Sequence, residues 1–434
     1  MSVCERILSP VGRLAEVKCL RGMRDGIVSI LPLVITGSFF LLLGSLPVGA
    51  LSPEFLARYP AVKSAADWYQ GHTAVFLQPY RMTMNLMSLF AAFSVAYHLA
   101  RAYSLDALPA ALLSSACFMV MQAPRYLPGE AGKSGEWAAG LANFGGRGLF
   151  AAILGAIFTV EVIRLCARMK WGLRMPDGVP PAVSQAFSAL IPAFFVVTVV
   201  WIISSVLGVD IAGAVLKLFS PLMAVGDSFA AVLLINLIMH LVWLGGIHGA
   251  SIMVALMMPV WMGYLDANSL AVASGQAAPF VTTLPFYQWF VWIGGSGTTL
   301  TLAFLMLFSR SGTVRSLGKV ALLPGICNIN EPIIFGLPIM MNPVMALPFI
   351  LSPLVAGTIS YWAIRLNLVN HPYILVPWTL PAPLGAFLAT GFDMRAVVLV
   401  GVIMLLTGIL YYPFLREYEK VESRSQNPES RSQE

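Results

Sequence analysis

A single carboxylate stands alone in a long apolar stretch. Between Asp266 and Asp393 the only acidic residue is Glu331, set in Asn328-Ile329-Asn330-Glu331-Pro332-Ile333-Ile334-Phe335-Gly336-Leu337-Pro338. An isolated carboxylate at membrane depth costs roughly 2.5 to 3.5 kcal/mol on insertion scales, so by default it marks a ligand site or a pathway. The alternative is a carboxylate at the water interface that caps the half-helix after Pro332. A second signal is Trp243-Leu244-Gly245-Gly246-Ile247-His248-Gly249, where His248 falls at a break between apolar runs and its glycines allow a small polar ligand close to the imidazole. His240 lies about two helical turns earlier. A lone histidine among apolar residues also reads as a satisfied core group, and for His240 that is the expected role. Third comes Gly294-Gly295-Ser296-Gly297-Thr298-Thr299. It lacks the Lys of a phosphate loop, leaving either a helix-packing surface or a thinned helix that exposes backbone to a ligand. Fourth, Trp378 in Pro377-Trp378-Thr379-Leu380-Pro381-Ala382-Pro383 reads as an interfacial anchor or as a platform for a sugar ring.

The elements that must position these residues follow from composition. Of 434 residues 58% are apolar or aromatic and 11% are charged, with a net charge of +6; soluble domains carry about 25% charged residues. At about 20 residues per crossing the ceiling is roughly twelve helical spans. This excludes a soluble enzyme, a disordered chain and a nucleic-acid binder, and the fold class is an all-α polytopic membrane protein. Apolar runs at 27–50, 80–100, 106–123, 147–166, 186–208, 226–245, 247–264, 285–308, 343–364 and 396–415 predict about ten transmembrane helices. Two further segments, 320–342 and 371–392, are broken by prolines and read as re-entrant hairpins, which are tolerated where backbone lines a cavity. Lys and Arg collect at Arg6 to Arg24, at Arg164 to Arg174, and at Arg310, Arg315 and Lys319. With an inside amino terminus these clusters and the tail after Arg416 are all cytoplasmic, whereas Arg58, Lys63, Arg125, Lys133 and Arg147 fall on the other side. The first run reads as a retained span, not a cleaved signal. The five cysteines are scattered without metal-ligand spacing, so no metal and no cofactor are expected.

The run Asn328 to Pro338, continuing to Asn342-Pro343, resembles the NINEPIIFGxPIxxNP signature of the membrane EIIC component of the lactose/cellobiose/diacetylchitobiose family of the bacterial phosphoenolpyruvate:sugar phosphotransferase system. Arg24-Asp25-Gly26, Gly245 to Gly249, the glycine run and Pro377-Trp378-Thr379 match in the same order, and the likeness covers nearly the whole chain. The resemblance implies an inner-membrane homodimer with cytoplasmic termini. It implies a cytoplasmic segment 1–25, a dimerising half 26–210 and a sugar-binding half 211–416 with the two hairpins; the polar tail 417–434 reads as disordered from its composition. It implies that Glu331 and His248 hydrogen-bond sugar hydroxyls, with Glu331 orienting or deprotonating one of them. Trp378 would stack on the ring, and Asn330, Gly246, Gly295 and Gly297 would line the site. The function implied is inward translocation of a β-linked disaccharide whose C6 hydroxyl receives a phosphoryl group from a separate EIIB protein, with EIIA upstream. No EIIA or EIIB domain is expected at either end, and the basic loop Arg310, Arg315, Lys319 is either a docking place for EIIB or simple positive-inside topology. Cys327 stands where the family usually has Phe, and Leu244-Gly245 replaces an aromatic pair, which leaves the sugar unassigned. A proton- or sodium-coupled sugar symporter is the rival reading, and a membrane enzyme acting on lipid a distant third.

Overall fold

The computed structural model describes residues 17–426 apart from 47, 49–51, 129–133, 139, 172–186, 338, 340 and 341. The chain enters on α1 (Lys18–Gly44) and runs through α2 (Pro53–Arg58), α3 (Pro60–Phe76) and α4 (Gln78–Thr83) into α5 (Met87–Ala102) and α6 (Ala107–Met121). A small ribbon pairs β1 (Arg125–Leu127) antiparallel with β2 (Glu136–Ala138). Then come α7 (Leu149–Arg168), α8 (Leu190–Trp201), α9 (Ile211–Gly226), α10 (Phe229–Leu244) and α11 (Gly249–Ala273). The remainder is α12 (Leu284–Phe286), α13 (Leu300–Leu307), α14 (Gly312–Ile326), α15 (Glu331–Gly336), α16 (Pro343–Arg365), α17 (Ala382–Ala389) and α18 (Met394–Gln426).

Six helical stretches among the described residues are long and apolar enough to cross a membrane, and a seventh follows if Leu190–Val206 and Ile211–Gly226, bent by 86°, form one broken span. The ten runs predicted from hydropathy therefore do not all appear as full-length helices. α6 and α10 are apolar but only 15 and 16 residues long. The run 285–308 divides into α12 with a π-helical turn (Tyr287–Val291), an irregular loop, and α13. Its loop holds Gly294, Gly295, Gly297 and Thr298 at positive φ, a conformation no α-helix accommodates. Hydropathy averages over such a break because the flanking residues are apolar. The last helix also runs eleven residues past the expected end of its span, to Gln426. Glu419 accepts hydrogen bonds from Ser309 Oγ and from Arg310 N–H, and pairs with Arg416 at 2.8 Å. The tail expected to be disordered from 417 is thus helical to Gln426, and 427–434 lie outside the described residues.

In the amino-terminal half, α1 crosses α5 at close range because small residues face it. A Cβ on Gly26 would lie 2.6 Å from Val95 Cα, and Ser94 Oγ donates to the Gly26 carbonyl at 2.8 Å, as expected for small-residue packing in an apolar solvent. So Arg24-Asp25-Gly26 has a structural job: Gly26 admits α5, and Arg24 pairs with Asp25 at 2.8 Å. The two halves meet along α11, which packs on α1 and on the turn Gly146–Gly148, where Gly146 N–H donates to buried Asp266 at 2.7 Å.

The segment 371–392 is an extended strand-like run followed by α17. Buried main chain without a ladder needs other partners, and side chains of α11 supply them: Asn268 Nδ2 donates to the Pro372 carbonyl at 2.9 Å and Ser269 Oγ to that of Tyr373 at 2.6 Å.

Candidate functional site

The break in 285–308 builds the floor of a cavity. Every polar group of this loop at depth needs a partner, and neighbouring elements provide several. Gly294 N–H donates to Asn328 Oδ1 at 2.9 Å and Gly297 N–H to His240 Nε2 at 2.8 Å. The Gly297 carbonyl accepts from Tyr411 at 2.7 Å, and the Ser296 carbonyl accepts from Asn330 Nδ2 at 2.5 Å. The glycines are needed: a Cβ on Gly295 would fall 2.5 Å from Asn330 Cγ, and one on Gly297 2.3 Å from Phe349 Cδ2.

Above this floor α10 ends at Gly245, Gly246 turns at φ +80°, and His248 caps α11. His248 Nδ1 accepts from Ser251 N–H at 3.1 Å and meets Ser251 Oγ at 2.9 Å. A nitrogen that accepts a backbone N–H carries no proton, so the neutral ring keeps its proton on Nε2 and can donate it to a ligand. The buried Trp243 lies against the imidazole with ring centres 4.3 Å apart and donates Nε1–H to Ser296 Oγ at 3.2 Å.

The opposite wall comes from the proline-broken segments. Asn328, at φ +62°, ties the two to the glycine loop: Oδ1 holds Gly294, while Nδ2 donates to the carbonyls of Trp378 at 2.7 Å and Leu380 at 2.9 Å. This fixes the main chain under Trp378, whose indole is 49% exposed. Glu331 opens α15 with Pro332 beside it, and its side chain is exposed. The N-cap of this helix is Asn330 and no side-chain cap hydrogen bond is made among the described residues, so Glu331 does not cap it, although an acid in the first turn is electrostatically favoured.

These residues enclose a cavity of about 230 Å³ lined by His248, Gly295, Asn330, Glu331 and Trp378, with Trp243, Trp292 and Gln288 among the others. Five of the seven residues singled out from the sequence therefore line one cavity. Gly246 shapes the turn before His248 and Gly297 belongs to the loop itself; neither lines the cavity. His240 is fully buried, donates from Nδ1 to the Asn236 carbonyl at 2.6 Å and supports the loop from below. The sequence reading omitted Trp243, Ser296, Asn328, Trp292, Gln288 and Leu31 as site residues. Three of these stand inside the motifs it quoted; Leu31, Gln288 and Trp292 sit in apolar runs that look like any buried helix face.

Chemically the cavity is aromatic and amide-rich, carries one carboxylate, and has no Lys or Arg among its lining residues. Such a lining suits a neutral polyhydroxylated ligand: planar faces for C–H surfaces, an acceptor in Glu331 and a donor in His248.

Residues 24–353 match the family described as Phosphotransferase system, EIIC. The chain is 38% identical to the lichenan permease IIC component of Bacillus subtilis (strain 168), over 98% of this chain and 94% of that protein. It is 36% identical to the cellobiose-specific EIIC component of Geobacillus stearothermophilus, over 96% and 93%. It is also similar to the crystal structure of the transporter ChbC, the IIC component from the N,N'-diacetylchitobiose-specific phosphotransferase system, with a TM-score of 0.87 and 35% identity over 98% of this chain and 99% of that one. The coupled-symporter reading finds no support in these matches. A multi-pass helical chain with this loop-and-hairpin cavity belongs to the EIIC membrane components of the phosphotransferase system, in the cellobiose/lactose family.

Proposed function

We propose that this chain is the permease for a β-linked disaccharide of the cellobiose, chitobiose or lactose type, and that it presents the sugar's C6 hydroxyl to a separate phosphorylated EIIB protein. The observation that carries the reading is the gathering of Glu331, His248, Asn330, Gly295 and Trp378 in one cavity. Glu331 accepts a hydrogen bond from a sugar hydroxyl, His248 donates from Nε2, and Trp378 stacks on a ring. In the transfer step the hydroxyl oxygen attacks phosphorus, its proton passes to the Glu331 carboxylate, and the EIIB cysteine leaves as thiolate. Phosphoryl transfer depends chiefly on positioning and charge, so an exposed carboxylate beside the hydroxyl suffices as acceptor.

The same electrostatics favour release. The product bears a phosphate next to Glu331, and no Lys or Arg is among the described residues that line the cavity to hold it; like charges at close range repel.

The subunit works as a homodimer with both termini in the cytoplasm. EIIB docks where α13 turns into α14, at Arg310, Arg315 and Lys319. Arg315 is engaged in that turn, donating Nε and Nη2 to the Ser309 carbonyl at 3.0 and 2.6 Å, which leaves Arg310 and Lys319, both exposed, as the charged contact. Arg6 and Arg13 of the first basic cluster, and Arg174 of the second, lie outside the described residues.

The test is a binding scan of purified protein against β-linked disaccharides, with Glu331→Gln alongside. The reading requires one disaccharide that binds the wild type and binds the variant at least about tenfold more weakly, since a hydrogen bond to a charged group contributes about 1.5 to 3 kcal/mol. Equal binding by both proteins would remove Glu331 from the site.

A further inference from the structure

Most polar side chains around the cavity are already engaged with the protein. Trp243 donates to Ser296, and Trp292 donates Nε1–H to Asn236 Oδ1 at 2.9 Å. Asn328 spends both ends of its amide on the loop and on the Trp378 segment. Asn330 spends its Nδ2 on Ser296 and on Thr299 Oγ1 at 3.0 Å. Gln288 differs. It lines the same cavity, yet its side chain makes no hydrogen bond among the described residues and its Oε1 is shut off from water. Its cavity neighbours Leu284, Val254 and Met258 have no polar group to offer it.

A half-buried amide without a partner is costly to keep. Its backbone is also unusual. Gln288 lies in the π-helical turn Tyr287–Val291, closed by Trp292 N–H donating to the Tyr287 carbonyl at 2.8 Å. Such turns inside helices cluster at functional sites, and this one sets Gln288 and Trp292 on the same cavity wall. The amide offers an acceptor and two donors in one plane, which matches a hydroxyl, itself both donor and acceptor.

We infer that Gln288 is a specificity-determining residue of this cavity, its amide pairing with a ring hydroxyl of the bound sugar. The inference rests on the sugar-site reading above. A site that pairs its own buried polar group with a substrate hydroxyl discriminates against analogues lacking that hydroxyl, because the group is then left unpaired. Glu331, exposed, would fix the reacting hydroxyl, whereas Gln288 would select the sugar.

The experiment is calorimetric titration of the full-length protein in detergent with methyl β-cellobioside and its monodeoxy analogues, using the wild type, Gln288→Leu and Glu331→Gln. Gln288→Met replaces the Leu variant if branching disturbs the wall. Expected is an affinity for the parent glycoside about tenfold lower in Gln288→Leu. One monodeoxy analogue should bind the wild type about tenfold more weakly than the parent does, with no further loss on Gln288→Leu. The inference is overturned if the variant binds the parent like the wild type, or if the penalties of variant and analogue multiply at every hydroxyl. If the parent binds the wild type and fails on Glu331→Gln while Gln288→Leu is silent, only this inference falls. Absence of wild-type binding to methyl β-cellobioside and to every β-linked disaccharide of the scan removes the sugar reading along with it.

Discussion

At the scale of single residues, the site consists of a few free groups held by fully committed ones. Asn328 is the clearest of the latter, because one amide joins the glycine loop to the Trp378 segment. Asn328→Ala should lower stability by about 1 to 3 kcal/mol, the scale of several hydrogen bonds lost at partly buried groups. It should also weaken sugar binding although Asn328 donates nothing to the ligand. Thermal unfolding and titration together check this, and unchanged binding with lowered stability would detach Trp378 from the ligand. Glu331, His248 and Trp378 were legible in the sequence because each is chemically out of place in its surroundings: an acid among apolar residues, an imidazole between glycines, an indole between prolines. Gln288 was not, since an amide inside a long apolar run carries no local mark, and only its lack of a partner in three dimensions singles it out.

At the scale of elements, the decisive feature is the split of 285–308. Gly297 has φ +82°, with Phe349 against the place a Cβ would take. Gly297→Ala should therefore destabilise the protein by about 1 to 3 kcal/mol through backbone strain and overpacking, seen as a lower Tm, while the more exposed Gly246→Ala, with open space around it, costs only the strain of its positive φ. The glycine run, read as a helix-packing surface or a thinned helix, is the local mark of this break, yet hydropathy predicts the segment as one span because transfer energies say nothing about dihedral angles. The prolines of 320–342 and 371–392 point to irregular backbone because they constrain it, which the hydrophobic pattern ignores, although Pro324 lies inside α14. A second element-level device closes the extended segment. Asp393 accepts from Asn370 N–H, Arg395 N–H and Arg395 Nε, each at 2.9 Å. Burial alone would push this carboxyl up, but the Arg395 side chain and the two backbone donors together hold it below its usual range. A carboxyl with a depressed folded pKa contributes stability above its unfolded value, and that contribution is lost as pH falls through the folded one. Wild-type Tm should thus drop below about pH 4, and Asp393→Asn should be less stable at neutral pH with a smaller acid-dependent drop; parallel pH profiles would contradict the clamp.

At the scale of the whole molecule, the architecture separates scaffold from site. α1 and α5 are pressed together through Gly26, whereas the carboxy-terminal elements leave a loop, a half-helix and an extended segment around a cavity. Composition made the membrane class plain, but length and backbone breaks decided which apolar runs were full spans: α6 and α10 fall short, 285–308 divides and α8 bends into α9. The helix past 417 was missed because its stabilising contact, Glu419 with Ser309 and Arg310, is more than a hundred residues distant in sequence. Under the proposed function the sugar leaves this protein as its phosphate. The most direct test is uptake of radiolabelled cellobiose by proteoliposomes containing the purified protein, with phosphorylated EIIB or an imposed proton or sodium gradient supplied separately. Labelled cellobiose phosphate should accumulate on the EIIB side, only when phosphorylated EIIB is present, and independently of either gradient. Accumulation of free cellobiose driven by a gradient without EIIB would contradict it.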